Sequence, residues 1–255
     1  MTPNPILKVL SVLNKHKVKY LLIGGQACII YGAAEFSRDS DFIILSASDN
    51  LARMRKALKA MKAVLIYFPP LDKQYLERGH ACHFRCGAKE IKDLRIDVMS
   101  KMRGCAEFDI LWRRRKRLSL KNGITLNIIG LQDLVCSKKT QRDKDWLMLK
   151  RLVDNDIISK KYRAAPGTIK WWLNECRNAD ILIELANRYN KYAKEIAKTR
   201  PLISFAVKED GHKLSIKLNE EERGEREKDI AYWLPLKKEL EELRHQIMPR
   251  KSTTI

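Results

Sequence analysis

The spacing of apolar positions divides the chain into a first part in which strand and helix patterns alternate and a second part that is mostly helical. Short apolar runs bounded by glycine or polar residues predict buried strands at YLLI, DFIIL and LRIDV. Apolar residues spaced by three and four predict the helices between and after them. The pattern therefore predicts an α/β part in residues 1–160 and a helical C-terminal region in residues 161–255.

Several local signals refine this outline. Ser48 or Asp49 is typical of a helix N-cap, and Asn122–Gly123 between two apolar runs predicts a type I′ hairpin turn. One continuous helix is expected from Leu131 to Asp154. Around Asp210–Gly211 either a hairpin or a helix–turn–helix junction fits the pattern, and we favour the junction.

The charge balance narrows the class of partner. The 255 residues contain 51 Lys and Arg against 31 Asp and Glu, a net charge of +20. Such an excess attracts polyanions, and nucleic acid is the usual one, although a basic surface without a specific partner fits the same number. No stretch is apolar enough to span a membrane, and the scattered cysteines indicate reduced thiols. We expect a cytoplasmic protein.

Acidic residues stand where two predicted strands would otherwise be apolar. Asp39 and Asp41 project to one side of their strand because side chains alternate, while Ser40 and Phe42 project to the other. Asp97 in LRIDV likewise lies opposite its apolar neighbours. Carboxylates on one face repel each other and lose hydration, so something must offset that cost. A divalent cation such as Mg²⁺, which prefers oxygen ligands, is the obvious candidate.

A glycine pair precedes the acidic residues. Gly24 and Gly25 end one predicted strand and open a helix, so bare backbone N–H groups can approach a phosphate there. A Gly-Gly alone is weak support. A Gly-Gly followed after thirteen residues by Asp39-x-Asp41, with Asp97 on a later strand, is far more specific.

This arrangement resembles the DNA polymerase beta nucleotidyltransferase superfamily, and most closely the small bacterial branch that includes abortive-infection toxin nucleotidyltransferases. The resemblance covers roughly residues 18–150 and implies an α+β fold, a mixed β-sheet nucleotidyltransferase core with helices on one face, followed by the mostly helical C-terminal region. It also implies Mg²⁺ or Mn²⁺ as cofactor, an NTP such as ATP as substrate, and a place in a toxin–antitoxin pair.

The resemblance also implies roles for individual residues. Asp39, Asp41 and Asp97 would be the catalytic metal ligands, and Asp97 would alternatively accept the proton of the attacking hydroxyl. The expected nucleotide-binding residues of the first part are Gly24, Gly25, Gln26 and Arg38. Two departures stand out: Gly25 replaces a phosphate-binding Ser of many members, and Ser40 replaces an apolar residue.

Three basic residues interrupt the apolar stripe of the predicted helix 131–154. Helical spacing places Lys138, Lys139 and Arg142 in phase with that stripe. In the resembled family a basic residue on such a helix meets the nucleotide phosphates, so we expect these three to bind nucleotide. The alternative is that they pair with Asp143 or Asp145 at the edge of a groove.

The densest basic run contains Arg113, Arg114 and Arg115, which we expect to bind the acceptor. A tRNA or another RNA end is the acceptor that the charge favours, and a solvated edge strand is the alternative.

The function expected from the sequence is metal-dependent transfer of NMP from an NTP to a hydroxyl. The competing hypothesis is a non-catalytic nucleic-acid-binding or antitoxin-like protein on the same fold. Repulsion among the carboxylates further predicts that neither Asp41→Asn nor Asp97→Asn lowers the stability of the metal-free protein by much.

Overall fold

One mixed sheet of seven strands organises the first part of the chain, in the order β3-β4-β5-β2-β1-β7-β6. The computed structural model describes residues 5–120, 123–160 and 164–247. The strands are β1 (Tyr20–Ile23), β2 (Asp39–Ile44), β3 (Val64–Tyr67), β4 (Cys82–Arg85), β5 (Arg95–Met99), β6 (Lys116–Ser119) and β7 (Thr125–Ile128). The expected α+β class with a mixed sheet is confirmed.

The centre of the sheet is formed by strands that are distant in sequence. β2 pairs antiparallel with β1 and parallel with β5, and β1 pairs parallel with β7. All four residues of β1 are buried, and on β2 Ser40 and Phe42 are buried while Asp39 and Asp41 are partly exposed. Tyr20 meets Phe42 edge to face, with ring centroids 5.5 Å apart. The expected alternation of β2 is therefore confirmed.

The hydrophobic pattern of the sequence predicted the strands at one edge of the sheet but not the strand at the other. β3 was not predicted, because Val64, Leu65 and Tyr67 are all exposed at an edge of the sheet and show no buried alternation. At the opposite edge β6 and β7 form the expected antiparallel hairpin, with Ser119 paired to Thr125. Asn122 of the predicted turn lies outside the described residues.

The described part of the chain forms two compact units. The first contains the sheet and is built from the described residues up to 30, from 34–137 and from 231 onward, and the second from 31–33 and from the described residues of 138–230. These units divide the chain at other positions than the expected domains 1–160 and 161–255, which stay a prediction.

The other regular elements of the described residues are α-helices and a short 3₁₀ helix at Lys89–Ile91. Up to Ser137 the α-helices are α1 (Pro5–Lys15), α2 (Gly24–Ile30), α3 (Ser48–Ala60), α4 (Lys73–Arg78), α5 (Phe108–Arg114) and α6 (Leu131–Ser137). Beyond it they are α7 (Asp143–Lys160), α8 (Pro166–Glu175), α9 (Ala179–Arg188), α10 (Asn190–Ile196), α11 (Ile203–Val207) and α12 (Gly211–Ile247). None of these helices combines the length and apolar composition needed to cross a membrane.

The expected continuous helix from Leu131 to Asp154 is wrong. α6 ends at Ser137 and α7 begins at Asp143. In the linking segment the Thr140 hydroxyl accepts a hydrogen bond from the Arg142 backbone N–H (3.2 Å) and donates one to Asp145 (2.7 Å). Short polar side chains of this kind offer the backbone an alternative to helical hydrogen bonds, and here the alternative prevails.

Two smaller expectations had opposite outcomes. Neither Ser48 nor Asp49 caps α3, because its N-cap is Ala47, which makes no side-chain cap hydrogen bond. The helical junction favoured near Asp210–Gly211 is confirmed, since α11 ends at Val207 and α12 begins at Gly211.

Candidate functional site

The three aspartates predicted from the sequence come together in the first unit. Asp41 on β2 is the register partner of Asp97 on β5, and Asp39 is the partner of Arg95 in the same parallel pair. Because residues in register on neighbouring strands project to the same face, the three carboxylates share one face of the sheet. Asp97 is buried, whereas Asp39 and Asp41 are partly exposed.

Arg95 supplies a positive charge to this acidic face. Its Nε donates a hydrogen bond to Asp97 Oδ1 at 2.8 Å, and the charges of Asp39 and Asp41 also help to raise the pKa of its guanidinium. His83 Nδ1 lies 2.9 Å from the same Asp97 oxygen. Burial acts to raise the pKa of Asp97, but the contacts with His83 and Arg95 outweigh it and hold that pKa below its usual value. In the metal-free protein, therefore, Arg95 offsets much of the repulsion among the carboxylates.

Gly24 and Gly25 lie close to the side chains of Asp41 on β2 and of Ser37 just before it. Gly24 has a φ of +66°, and a Cβ there would lie 2.0 Å from Asp41 Oδ2. A Cβ on Gly25 would lie 2.4 Å from the Ser37 hydroxyl, and Gln26 Nε2 donates to the Ser37 carbonyl at 3.0 Å. Only glycine fits this close approach, so the opening of α2 and the Asp41 carboxylate form one local structure.

The acidic residues have the donor atoms that a divalent metal ion prefers, but their side chains are not arranged as a metal site. Carboxylate oxygens are the donors that Mg²⁺ and Mn²⁺ prefer, and Asp39, Asp41 and Asp97 provide them on one face. No group of three His, Cys, Asp or Glu residues in the described ranges stands in a geometry that could hold a metal ion. Asp97 is instead bound to Arg95 and His83. The residues fit such an ion by chemistry, and Asp97 would have to exchange these contacts to join the others.

The three basic residues expected to bind nucleotide lie in the second unit and are paired there. Lys138 Nζ lies 2.8 Å and Arg142 Nη2 2.6 Å from Asp145, as the alternative interpretation expected, while Lys139 pairs with Glu175 at 2.8 Å. Burial acts to raise the pKa of Asp145, but Lys138 and its other partners hold it below the usual value. These contacts show how the three are held, and their binding of nucleotide stays a prediction.

The basic run expected to bind the acceptor crosses from α5 into the edge strand β6. Arg113 is exposed, Arg114 lies 3.2 Å from Asp133, and the Arg115 guanidinium lies 3.8 Å from the centre of the Trp112 ring. Two of the three arginines thus also support local packing. Arg38, expected at the nucleotide, is exposed.

Sequence reasoning missed Arg95 and His83. Arg95 precedes Asp97 by two residues, so strand alternation alone places both on one face, and that signal could have found it. His83 could not be found in this way, because its place opposite Asp97 depends on the register between β4 and β5.

Comparisons with known proteins add little to this geometry. No protein-family model matches the chain, and no curated protein matches it. One solved structure, described as "Crystal structure of putative nucleotidyltransferase from H. pylori", aligns with a TM-score of 0.39 and 15% identity. The alignment covers 88% of this chain and 93% of that chain. A likeness this distant does not decide the function.

Proposed function

We propose that the protein is a metal-dependent nucleotidyltransferase that moves NMP from an NTP to a hydroxyl acceptor and releases pyrophosphate. One observation carries the proposal: Asp41 and Asp97 are register partners on adjacent parallel strands, with the Gly24 backbone against the Asp41 carboxylate. A purely structural strand pair has no need for two acidic side chains beside a glycine at positive φ. The assignment to the abortive-infection branch, and a toxin–antitoxin role, stay predictions.

The residues of the first unit then have separate roles. Asp39, Asp41 and Asp97 would hold Mg²⁺ or Mn²⁺, which supplies charge neutralisation to the phosphates when bound. The backbone at Gly24 and Gly25 would face the triphosphate. The acceptor oxygen forms a bond to the α-phosphorus, the bond to the pyrophosphate oxygen breaks, and Asp97 accepts the hydroxyl proton. Each atom of the NTP leaves either on the acceptor or as pyrophosphate.

The acceptor we propose is an RNA end, such as that of a tRNA. The protein carries a net charge of +20, and exposed basic residues include Arg113 on α5 and Lys116 and Arg117 on the edge strand β6. Exposed cations attract the phosphates of a nucleic acid backbone. The same charges would also protect the edge strand β6 from pairing with another sheet, which is the alternative explanation.

The test is transfer of label from each α-labelled NTP to total RNA, to protein extract or to small hydroxylated compounds in the presence of Mg²⁺. We expect label in RNA with the unchanged protein and none with Asp41→Asn. Asp49→Asn, which changes an exposed carboxylate on α3, is the matched control and should keep full transfer. Label in protein or small molecules alone would exclude an RNA acceptor, and no label in any acceptor would refute the transferase.

Arg95 favours a second candidate, a non-catalytic nucleic-acid-binding or antitoxin-like protein. A guanidinium that already neutralises the acidic face leaves less need for a metal ion there. Thermal unfolding separates the two candidates: an enzyme is stabilised by NTP together with Mg²⁺, because ligands of the folded state raise its stability. A binding protein of the second kind is stabilised by RNA and by no nucleotide–metal combination.

A further inference from the structure

Exposed side chains continue on one face of the sheet from the acidic residues to the edge strand β3. On β4, His83 is partly exposed and Arg85 is exposed, whereas the residues that alternate with them are buried. His83 is the register partner of Asp97, so this is the face of the aspartates. At the edge, Tyr67 is 55% exposed. Tyr67, His83 and Arg85 together form what we call the open face of β3 and β4.

Side-chain contacts link the open face to the acidic site. His83 Nδ1 lies 2.9 Å from Asp97 Oδ1, and the His83 ring meets that of Tyr67 edge to face, with centroids 6.2 Å apart. The register gives the same row, since Tyr67 pairs with His83 and His83 with Asp97. Two strand spacings separate β3 from β5, which is roughly 10 Å.

A second row on this face carries positive charge. Arg85 pairs with Arg95 in the β4–β5 register and projects to the same side as His83. Arg95 is held by Asp97, but Arg85 is exposed and forms no ion pair with any of the described residues. Its planar guanidinium can therefore bind a phosphate, whose oxygens match its donors.

The order of the strands separates the two reactants of the proposed transfer. Gly24, whose backbone would face the triphosphate, follows β1, and β1 borders β2 on the side away from β5. Asp97 on β5, which would accept the hydroxyl proton, has β4 and then β3 on its other side. An acceptor that reaches Asp97 without crossing the nucleotide therefore lies on β4 and β3. This step rests on the proposed function.

Tyr67 indicates the form of the acceptor. An aromatic ring beside a cation is the combination that binds single-stranded nucleic acid, because every base has a face that can stack on the ring. The bases of a duplex already stack on each other, so they cannot use such a ring. The protein also carries a net charge of +20, which favours a polyanion on this surface over a second copy of the chain.

We propose that the acceptor is a single-stranded RNA end that lies on the open face of β3 and β4. One base stacks on Tyr67, a phosphate meets Arg85, and the terminal hydroxyl lies at Asp97. Stacked nucleotides are about 3.4 Å apart, so the roughly 10 Å between β3 and β5 places the stacked base within the last few nucleotides of the RNA.

Fluorescence anisotropy of the full chain with a short labelled RNA, in EDTA and without NTP, tests the surface independently of transfer. Tyr67→Ala should weaken binding of the single strand about tenfold, since stacking of one base is worth that much, and should leave binding of a blunt duplex unchanged. Tyr192→Ala, which removes a partly exposed tyrosine of the second unit, is the matched control. Equal affinity of the two variants for the single strand would overturn the proposal, as would an equal loss for strand and duplex.

Arg85→Gln tests the phosphate contact through its salt dependence. Loss of one contact with a single strand should reduce the slope of log affinity against log salt concentration by about 0.7. Lys56→Gln, at an exposed lysine of α3, changes the net charge equally and should leave the slope unchanged. The same slope in both variants would refute the contact at Arg85.

Transfer kinetics separate this proposal from the transferase itself. With Mg²⁺, Tyr67→Ala should raise the KM for RNA about tenfold and leave the KM for the NTP unchanged. A raised KM for the NTP alone would mean that the base of the NTP stacks on Tyr67, which overturns the proposal. If no label is transferred while RNA binding still depends on Tyr67, the transferase is wrong and the RNA surface stands. If RNA is labelled while Tyr67→Ala and Tyr192→Ala bind it equally, the transferase stands and this surface is wrong.

Sedimentation of the same variants tests the other occupant of an edge strand, a second copy of the chain. Tyr67→Ala and the unchanged protein should sediment as the same species. A dimer that Tyr67→Ala dissociates, with its affinity for RNA unchanged, would show that β3 pairs with a second copy and would overturn the proposal.

Discussion

Replacing Asp97 by Asn should destabilise the metal-free protein, although the sequence alone predicted no appreciable loss. The carboxylate is 12% exposed and accepts a hydrogen bond from Arg95 at 2.8 Å, with His83 Nδ1 at 2.9 Å from the same oxygen. An Asn keeps an acceptor of the same shape and loses the charge. A hydrogen bond to a charged group is worth about 1 kcal/mol more than a neutral one, so two contacts predict a loss of about 2 kcal/mol.

Two effects reduce that figure. Arg95 is 35% exposed, so water screens its interaction with Asp97, and Asn also removes repulsion from the neighbouring Asp41. The net expectation is a decrease of about 1 kcal/mol in the free energy of unfolding.

The measurement is urea denaturation at pH 7 in EDTA. Asp49→Asn is the control, because Asp49 and its partner Arg53 are both exposed, and it should cost at most about 0.5 kcal/mol. In a double-mutant cycle Asp97→Asn and Arg95→Gln should be coupled by at least about 0.5 kcal/mol. A variant as stable as the unchanged protein, with strictly additive effects in the cycle, would show that Arg95 does not balance the acidic face.

Two further predictions concern stability. Gly24→Ala should cost about 2 kcal/mol or more in urea denaturation, because φ is +66° and the new Cβ meets the Asp41 carboxylate. The control is Gly224→Ala in α12, which has open space around it and should be neutral or stabilising by up to about 1 kcal/mol. Equal effects of the two substitutions would contradict the packing argument. Lys138→Met should cost about 3 kcal/mol at pH 7, because Asp145 loses a buried partner. The folded-state pKa of Asp145 is lowered, so its pairing contributes fully above its ordinary value of 3.8 and is lost as the pH falls below it. The difference from the unchanged protein should therefore shrink below pH 3.8, and a difference independent of pH would refute the pairing.

Local periodicity was enough to predict much of the first unit. Alternation along a strand placed Asp39 and Asp41 on one face, and the helix-opening glycines were visible as a pair. These features depend on neighbours within a few residues, so the chain itself encodes them. The same periodicity failed for the helix through residues 138–142, because the hydrogen bonds of Thr140 and Asp145 outweighed the helical spacing of the apolar residues on either side.

Only the tertiary structure decided which charges meet. The β2–β5 register brings Asp41 beside Asp97, and it places the positive charge of Arg95 on the same acidic face. In the second unit Glu221 faces two arginines, since it accepts two hydrogen bonds from Arg200 and lies 3.4 Å from the Arg177 Nε. Such partners lie far apart in sequence, and a charge pattern along the chain does not show which cation will find which carboxylate. The sequence by itself determined the types of residue at the acidic site, and the fold determined their partners.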